Sequence, residues 1–299
     1  MNSYSQKSHR SRQCRQFTRD SARLSSAGSP VESFCATIDS SMEIPNFLSY
    51  PSIISNRLKE LRLRASFREI CRKYRGNTMV QEAKFVRNLE LVHGFKHIRG
   101  CVVECGVWRG GMSAAMAEVL GSDRQYFLFD SFEGLPPARE DLDGAAAIAW
   151  QNNSTSPAYY NNCTAAESEA AAAMKLSGAT SFSLVKGWFS DTVPAFKPPS
   201  EIAVLRLDGD WYDSTRVCLE HLVPFVADHG VVIIDDYYEW DGCARAVNEY
   251  LLRAGSPTEV VRLRQFRNLV AYFIKGDVRL PRSRSNGMDA DPQRDGADR

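Results

Sequence analysis

The sequence predicts an α/β protein whose mostly parallel β-sheet is covered by helices on both faces. Short apolar segments alternate along the chain with segments of helical periodicity, and this alternation is typical of parallel strands joined by crossover helices. The last two apolar segments follow each other without a helix between them, so we expect them to form an antiparallel hairpin that closes the sheet. These two observations establish the fold class before any motif is considered.

The individual strands and helices follow from local patterns. Strands are expected at short apolar runs, which are residues 101–103, 126–129, 182–185, 202–207, 231–234, 260–263 and 269–274. Helices are expected where apolar side chains recur three and four positions apart, at residues 80–93, 112–120, 164–178, 213–223 and 244–252. In the third of these helices, Thr164 and Glu167 have the spacing of a capping box, and Gly178 marks the end.

The overall composition is that of an ordinary globular protein. The chain contains 37 Lys and Arg against 36 Asp and Glu, and 43% of its residues are hydrophobic. These values exclude a disordered chain and a strongly basic nucleic-acid binder. No apolar run is long enough for a transmembrane helix, so no membrane partner is expected. The eight scattered cysteines form no CxxC pair, which indicates reduced thiols in a cytoplasmic protein.

The two ends of the chain differ in composition from its centre. Residues 1–40 are rich in Ser and basic side chains and poor in aliphatic ones, so we expect a disordered extension. A start of this kind is also typical of an organelle transit peptide, and a true start at Met42 is a third interpretation. Residues 277–299 are polar and are expected to form a flexible tail.

Four of the predicted strands end in a carboxylate, and this is the main functional signal in the sequence. The acids are Glu104, Asp130, Asp208 and Asp235. In open α/β sheets, ligands bind outside the carboxyl ends of the strands. We therefore expect these four side chains to converge on the edge of the sheet where a ligand binds.

The turn after the first strand predicts a site for a cationic group. Gly106 and Gly110 allow the backbone to approach a ligand closely, and Trp108 between them is expected to form part of the wall. The dinucleotide fingerprint G-x-G-x-x-G is absent. A carboxylate at Glu104 would repel a pyrophosphate and attract an amino group. The alternative interpretation is a tight turn without a ligand.

The turn after the second strand predicts contacts with a nucleoside. An acid in the position of Asp130 typically accepts hydrogen bonds from ribose hydroxyls. Phe132 would cover an adenine, or it would pack in the core. Together the two turns indicate a ligand with a nucleoside and a cationic amino-acid end. S-adenosylmethionine has both features, whereas NAD fits this description poorly.

Two further acidic motifs predict a metal site. Asp208 ends one strand and the pair Asp235-Asp236 ends the next, so three carboxylates would repel one another unless a cation lies between them. Ligands that are all oxygen select a hard divalent ion such as Mg²⁺. Asp210 lies two residues after Asp208, where it would stay off the metal and act as general base. The alternative is that these acids are solvated caps of the helices that follow.

At these residues the sequence resembles the macrocin O-methyltransferase family, which comprises metal-dependent class I methyltransferases that methylate sugar hydroxyls of natural products. The resemblance spans about residues 77–275 and rests on the order and spacing of six segments. These segments are residues 78–80, 103–111, 130–136, 186–192, 205–210 and 235–237.

The resemblance implies a Rossmann-like domain over residues 99–276 with a seven-stranded sheet, preceded over residues 41–98 by a helical lead-in and cofactor lid. It implies that Asp208, Asp235 and Asp236 hold Mg²⁺ and that Asp210 is the general base. It also implies an S-adenosylmethionine site that includes Glu104, Gly106, Asp130 and Ser131, a lid at Thr78 and Met79, and an adenine environment of Lys186, Gly187 and Phe189.

The expected reaction is Mg²⁺-dependent methyl transfer from S-adenosylmethionine to a hydroxyl of a sugar or similar small molecule. Residues 138–181 would cover this acceptor, and the polar, aromatic loop at 152–162 either binds a sugar or is an uninvolved surface loop. Related enzymes often oligomerise, so a second copy of the chain is also an expected partner. Two alternatives remain, namely a metal-dependent glycosyltransferase that uses Asp208-Gly209-Asp210 and a relative that binds the cofactor without catalysis.

Overall fold

A sheet of seven strands lies at the centre of the part of the chain that the structure describes. This structure is a computed structural model, which describes residues 50–253, 261–265 and 268–276. The strands are β1 (Cys101–Cys105), β2 (Gln125–Asp130), β3 (Ser181–Lys186), β4 (Ile202–Leu207), β5 (Val226–Ile234), β6 (Val261–Gln265) and β7 (Asn268–Ile274). The predicted extension at 1–40 and the predicted tail at 277–299 lie outside the described residues.

The strand order is β3-β2-β1-β4-β5-β7-β6. The first five of these strands pair in parallel, β7 is antiparallel to β5, and β6 is antiparallel to β7. The predicted α/β fold, Rossmann-like with an antiparallel closing hairpin, is therefore confirmed. The direction of the strand order reverses between β1 and β4, which is where open α/β sheets form a ligand crevice.

Eight α-helices surround the sheet within the described residues. They are α1 (Tyr50–Lys73), α2 (Glu82–Gly94), α3 (Gly111–Leu120), α4 (Glu140–Gln151), α5 (Glu167–Leu176), α6 (Phe189–Thr192), α7 (Tyr212–Leu222) and α8 (Asp241–Arg253). Helices α2, α3 and α5 contribute to one hydrophobic core, and α7 and α8 contribute to the other, on the opposite face of the sheet. No helix in the described ranges combines the length and the apolar character that crossing a membrane requires.

The central strands β1 and β4 are buried along their whole length. Val102 and Val204 belong to the core on one face, whereas Val103 and Leu205 belong to the core on the other. Burial on both faces explains why these strands have continuous apolar sequences instead of alternating polar and apolar residues. The exceptions are Glu104 in β1 and Arg206 in β4, two charged side chains that are both buried.

Several element boundaries differ from the sequence prediction. The predicted capping box is wrong, because α5 begins at Glu167 and the carboxylate of Glu169 accepts a hydrogen bond from the backbone N–H of Ala166. Strand β5 begins at Val226, five residues before the predicted start. The prediction was late because the exposed polar residues Asp228 and His229 interrupt the apolar run in the sequence.

Helix α4 was not predicted, and it holds the beginning of α7. Gly144 has a left-handed φ of 80° and kinks α4, which weakens its helical sequence pattern. The neighbouring side chain of Asp143 is buried and accepts hydrogen bonds from the backbone N–H groups of Tyr212 (2.7 Å) and Arg139 (2.8 Å). Tyr212 is the first residue of α7, so an acid from α4 caps the helix that follows Asp210.

Candidate functional site

A cleft lies at the carboxyl ends of the parallel strands, beside the point where the strand order reverses. It encloses about 580 Å³, counting the space that is open to solvent. Seven of the predicted cofactor residues line it, and these are Met79, Gly106, Trp108, Asp130, Ser131, Gly187 and Phe189. The predicted metal ligand Asp208 and the predicted base Asp210 line the same cleft. The structure thus brings most of the predicted site together.

Asp130 holds the two turns that form one wall of this cleft. Its Oδ2 atom accepts hydrogen bonds from the backbone N–H groups of Val107 and Trp108, both at 2.8 Å, and its Oδ1 atom accepts one from Phe132 at 2.7 Å. Trp108 and Phe132 have left-handed φ values of 47° and 56°, which are uncommon for such side chains. Burial raises the pKa of Asp130, and these three N–H groups oppose the shift. Asp130 therefore fixes the shape of both turns.

The structure corrects the prediction for Glu104, which does not line the cleft. Its carboxylate is buried and accepts hydrogen bonds from the Ser113 hydroxyl and from Arg206, whose Nη1 lies 2.5 Å away. Glu104 and Arg206 are neighbours in the register of β1 and β4, so the guanidinium occupies the place expected for a cationic ligand. Burial raises the pKa of Glu104 to about 7, and Arg206 opposes the shift.

Arg206 also binds two of the predicted metal ligands. Its Nη1 atom donates to Asp208 at 2.8 Å, and its Nη2 atom donates to Asp235 at 2.5 Å. Lys84 of α2 reaches the other oxygen of Asp235 at 2.7 Å and Glu239 at 2.8 Å. Both carboxylate oxygens of Asp235 are therefore in ion pairs, and Arg206 and Lys84 lower its pKa although burial acts in the opposite direction.

The carboxylates that the structure groups most closely are those of Asp208, Asp210 and Asp236. One oxygen from each lies within 4.8 Å of the others. Burial, together with neighbouring carboxylates, raises the pKa of Asp208 to about 6 and that of Asp210 to about 8, and it raises the pKa of Asp236 well above its ordinary value. The grouping differs from the predicted metal set, because Asp210 takes the place of Asp235. We call Asp208, Asp210 and Asp236 the carboxylate cluster.

Besides Glu104, four other predicted cofactor residues do not line the cleft. Phe132 packs in the hydrophobic core, which was the alternative interpretation, and Gly110 lies so close to Ala170 that a Cβ atom would be 2.8 Å from its Cα. The hydroxyl of Thr78 accepts a hydrogen bond from the backbone N–H of Val80 in the turn before α2. Lys186 is an exposed residue at the end of β3.

Sequence reasoning missed other residues of the site. Cys163 and Ser214 line the cleft and had no predicted role, whereas the lining residues Gly134, Leu135, Pro136, Trp188 and Gly209 belong to the segments that carry the resemblance. Arg206 and Lys84 were also missed, although each leaves a signal, because Arg206 interrupts an apolar strand and Lys84 lies on the buried side of an amphipathic helix. Charged side chains are rarely buried unless they are paired, so such positions indicate an ion pair.

Comparison with known proteins identifies relatives of this chain. The family model described as Macrocin-O-methyltransferase (TylF) matches residues 56–267. One relative is the 8-demethyl-8-(2,3-dimethoxy-alpha-L-rhamnosyl)-tetracenomycin-C 4'-O-methyltransferase from Streptomyces olivaceus. It is 37% identical over 167 residues, which are 53% of this chain and 60% of that protein. Demethyldecarbamoylnovobiocin O-methyltransferase from Streptomyces niveus is 33% identical over 175 residues, which are 56% of this chain and 64% of that protein.

A solved O-methyltransferase structure is also similar to this chain. The structure of the O-methyltransferase NovP aligns with a TM-score of 0.55 and 29% sequence identity, over 67% of this chain and 82% of that one. The matched part of the chain spans 60% and 64% of the length of the two curated relatives described above. The family match over residues 56–267 includes strands β1 to β6, the residues that line the cleft and the carboxylate cluster.

Proposed function

The chain belongs to the macrocin O-methyltransferase family, and from this premise we propose a function. The proposed reaction is the transfer of a methyl group from S-adenosylmethionine to a hydroxyl of a natural-product sugar or similar small molecule, with Mg²⁺ as the second cofactor. The relatives named above are O-methyltransferases of natural products, and the printed name of one of them includes a rhamnosyl group.

The cleft has the chemical character that an S-adenosylmethionine site needs. Asp130 lies at its wall, and its carboxylate oxygens have lone pairs beyond those used by the three backbone N–H groups. Met79, Trp188 and Phe189 provide apolar walls of the kind on which an adenine ring packs. We propose that Asp130 binds the ribose hydroxyls and that Met79 and Phe189 flank the adenosine.

The carboxylate cluster has the donors that a divalent cation needs. Its ligand atoms are all oxygen, and Asp210 and Asp236 accept hydrogen bonds from the neutral donors Trp240 Nε1–H and the backbone N–H of Asp210, respectively. We propose that Asp208 and Asp236 hold Mg²⁺. Both oxygens of the predicted ligand Asp235 are in ion pairs, so we propose that water takes the third place and that Asp210 stays off the metal as general base.

The chain's own groups then divide the work of methyl transfer. When bound, S-adenosylmethionine supplies the electrophilic methyl group and Mg²⁺ supplies a positive charge that lowers the pKa of a nearby hydroxyl. Asp208 and Asp236 fix the position of that charge relative to the cleft. The Asp210 carboxylate would accept the proton of the acceptor hydroxyl as that oxygen displaces the thioether S-adenosylhomocysteine from the methyl group. The turns held by Asp130 orient the cofactor, so positioning carries much of the rate enhancement.

One observation carries this proposal. Asp208 and Asp210 line the cleft and also belong to the carboxylate cluster, so the two proposed cofactor sites share a wall. A hydroxyl that contacts the cluster is therefore next to the cleft, as methyl transfer between the two sites requires.

Isothermal titration with S-adenosylhomocysteine, with and without Mg²⁺, tests the proposal, followed by a methylation assay on a panel of deoxysugar glycosides and catechols. We expect micromolar binding of S-adenosylhomocysteine and Mg²⁺-dependent methylation that EDTA abolishes. A folded sample that binds a nucleotide sugar but not S-adenosylhomocysteine would instead support the glycosyltransferase. Binding without methylation of any panel member would support a non-catalytic relative.

A further inference from the structure

Trp240 connects the two chain segments that carry the carboxylate cluster. It lies in the turn between β5 and α8, shortly after Asp236, and its backbone N–H donates to the Asp236 carbonyl at 3.0 Å. Its indole Nε1–H donates to Oδ1 of Asp210 at 2.8 Å. One side chain from the β5 turn thus binds the carboxylate that the proposed function makes the general base.

The indole ring of Trp240 is held by two other tryptophans. Its ring centroid lies 5.1 Å from that of Trp211 and 6.0 Å from that of Trp150, and both pairs are edge-to-face at 69°. Trp150 and Trp211 also meet edge-to-face, at 6.1 Å. Edge-to-face packing on two sides restricts rotation of the ring, so the direction of the indole N–H bond is fixed by the cluster.

Asp210 has an uncommon backbone conformation, and its main chain and its side chain are held by different hydrogen bonds. Its φ is 57°, in the left-handed region, and its backbone N–H donates to Oδ2 of Asp236 at 3.0 Å. This hydrogen bond holds the main chain of Asp210 and leaves its side chain to be held separately. The indole N–H of Trp240 does this through a hydrogen bond to an acidic group, which is stronger than one between neutral groups when the acid is ionised.

We propose that Trp240 is a positioning residue for the base. Its indole N–H binds Oδ1 of Asp210 and thereby leaves the second carboxylate oxygen to accept the proton of the acceptor hydroxyl. This inference rests on the proposed function for its kinetic consequence, whereas the contact itself does not depend on that function. The competing explanation is that Trp240 only fills space in the tryptophan cluster.

Replacement of Trp240 by Phe separates these explanations, because Phe keeps an aromatic ring and removes the donor. The matched control is Trp150→Phe, since Trp150 belongs to the same cluster but its Nε1–H donates to the backbone carbonyl of Ala158. We expect Trp240→Phe to lower kcat roughly 10- to 100-fold, with KM for the acceptor and the Kd for S-adenosylhomocysteine within about 2-fold of wild type. Trp150→Phe, which keeps an aromatic ring beside Trp240, should lower kcat much less than Trp240→Phe. Equal losses in the two variants would overturn the proposal.

A double-mutant cycle with Asp210→Asn tests whether Trp240 acts through Asp210. If it does, Trp240→Phe should lower kcat by no more than about 2-fold in the Asp210→Asn background, because the group it positions is already absent. A full further loss in that background would show an independent role for Trp240 and would contradict the proposal.

The contact is also testable without catalysis, in ¹⁵N-labelled protein. The chain contains five tryptophans, so its indole N–H region is simple, and the signal lost in Trp240→Phe identifies Trp240. We expect Asp210→Asn to shift this signal and to leave that of Trp150 in place. A Trp240 signal that ignores Asp210→Asn would overturn the positioning contact even in an active enzyme. Failure of wild-type protein to bind S-adenosylhomocysteine would instead overturn the proposed function.

Discussion

Two groups of acids meet at the carboxyl edge of the sheet, and their carboxylates have different kinds of partner. Glu104 and Asp235 lie against the cations Arg206 and Lys84. Asp210 and Asp236 accept hydrogen bonds from neutral donors instead, which are the indole of Trp240 and the backbone N–H of Asp210. The first group is an internal ion-pair network, whereas the neutral donors of the second group leave its carboxylates able to bind a cation.

The difference follows from where each acid lies relative to Arg206. Glu104 is its neighbour in the adjacent strand, and Asp235 begins the turn after β5, so both lie within reach of the guanidinium. Asp208 lies between the groups, because it binds Arg206 and also belongs to the carboxylate cluster. Acids at corresponding strand ends therefore have different roles, which depend on one buried cation.

The largest effect is expected from removing that cation. Arg206→Met leaves Glu104, Asp208 and Asp235 without their shared partner, and breaking a buried ion pair in this way costs about 3–5 kcal/mol. Urea unfolding followed by circular dichroism measures the change. Arg216→Met is the matched control, because Arg216 is partly exposed on α7, where it pairs with Glu220 and Asp213, so its loss should cost at most about 1 kcal/mol. Equal losses in the two variants would remove the distinction between the groups.

The second prediction compares the two adjacent acids of the β5 turn. Asp236→Asn should weaken Mg²⁺ binding at least about 10-fold and abolish most methyl transfer, because Asp236 belongs to the carboxylate cluster. Asp235→Asn should chiefly lower the free energy of unfolding, because Lys84 and Arg206 lose their shared acceptor. Isothermal titration with Mg²⁺ and urea unfolding on both variants give the comparison.

The opposite pattern would restore the set inferred from the sequence. If Asp235→Asn abolished Mg²⁺ binding and left the free energy of unfolding unchanged, Asp235 would be a metal ligand and its ion pairs with Lys84 and Arg206 would be replaceable. Glu249→Gln serves as a control for both measurements, since Glu249 is a partly exposed acid of α8 that pairs with Arg245 and accepts a hydrogen bond from the Tyr212 hydroxyl.

The sequence predicted those features of the site that depend on local pattern. The apolar runs located β1, β2 and β4, and the acids that follow them were therefore placed at one edge of the sheet. The burial of Glu104 was not predictable in this way, because it depends on the register that puts Arg206 of β4 beside it. The positions of Asp210 and Asp235 relative to the cluster depend on side-chain contacts from Trp240 and Lys84, which lie 30 and 151 residues away in the chain.

The smallest effect is expected in the pH dependence of the metal-free protein. Burial and the neighbouring Asp208 raise the pKa of Asp210 from 3.8 to about 8, so the folded protein binds more protons than the unfolded chain between these values. Its stability therefore falls as the pH rises through this range. Asp235 acts with the opposite sign, because its pKa is lowered and its contribution is lost only as the pH falls below its ordinary range.

Thermal unfolding in EDTA between pH 5 and pH 8 measures this difference between the two groups of acids. We expect Tm to fall with rising pH in EDTA and to fall less with Mg²⁺ present, because a bound cation favours the ionised carboxylates. Asp210→Asn should reduce the decline in EDTA, whereas Asp213→Asn, which changes an exposed acid in the first turn of α7, should retain it. A Tm in EDTA that rises from pH 5 to pH 8 would mean that the carboxylate cluster already has its compensating charge, and the two groups of acids would then be equivalent.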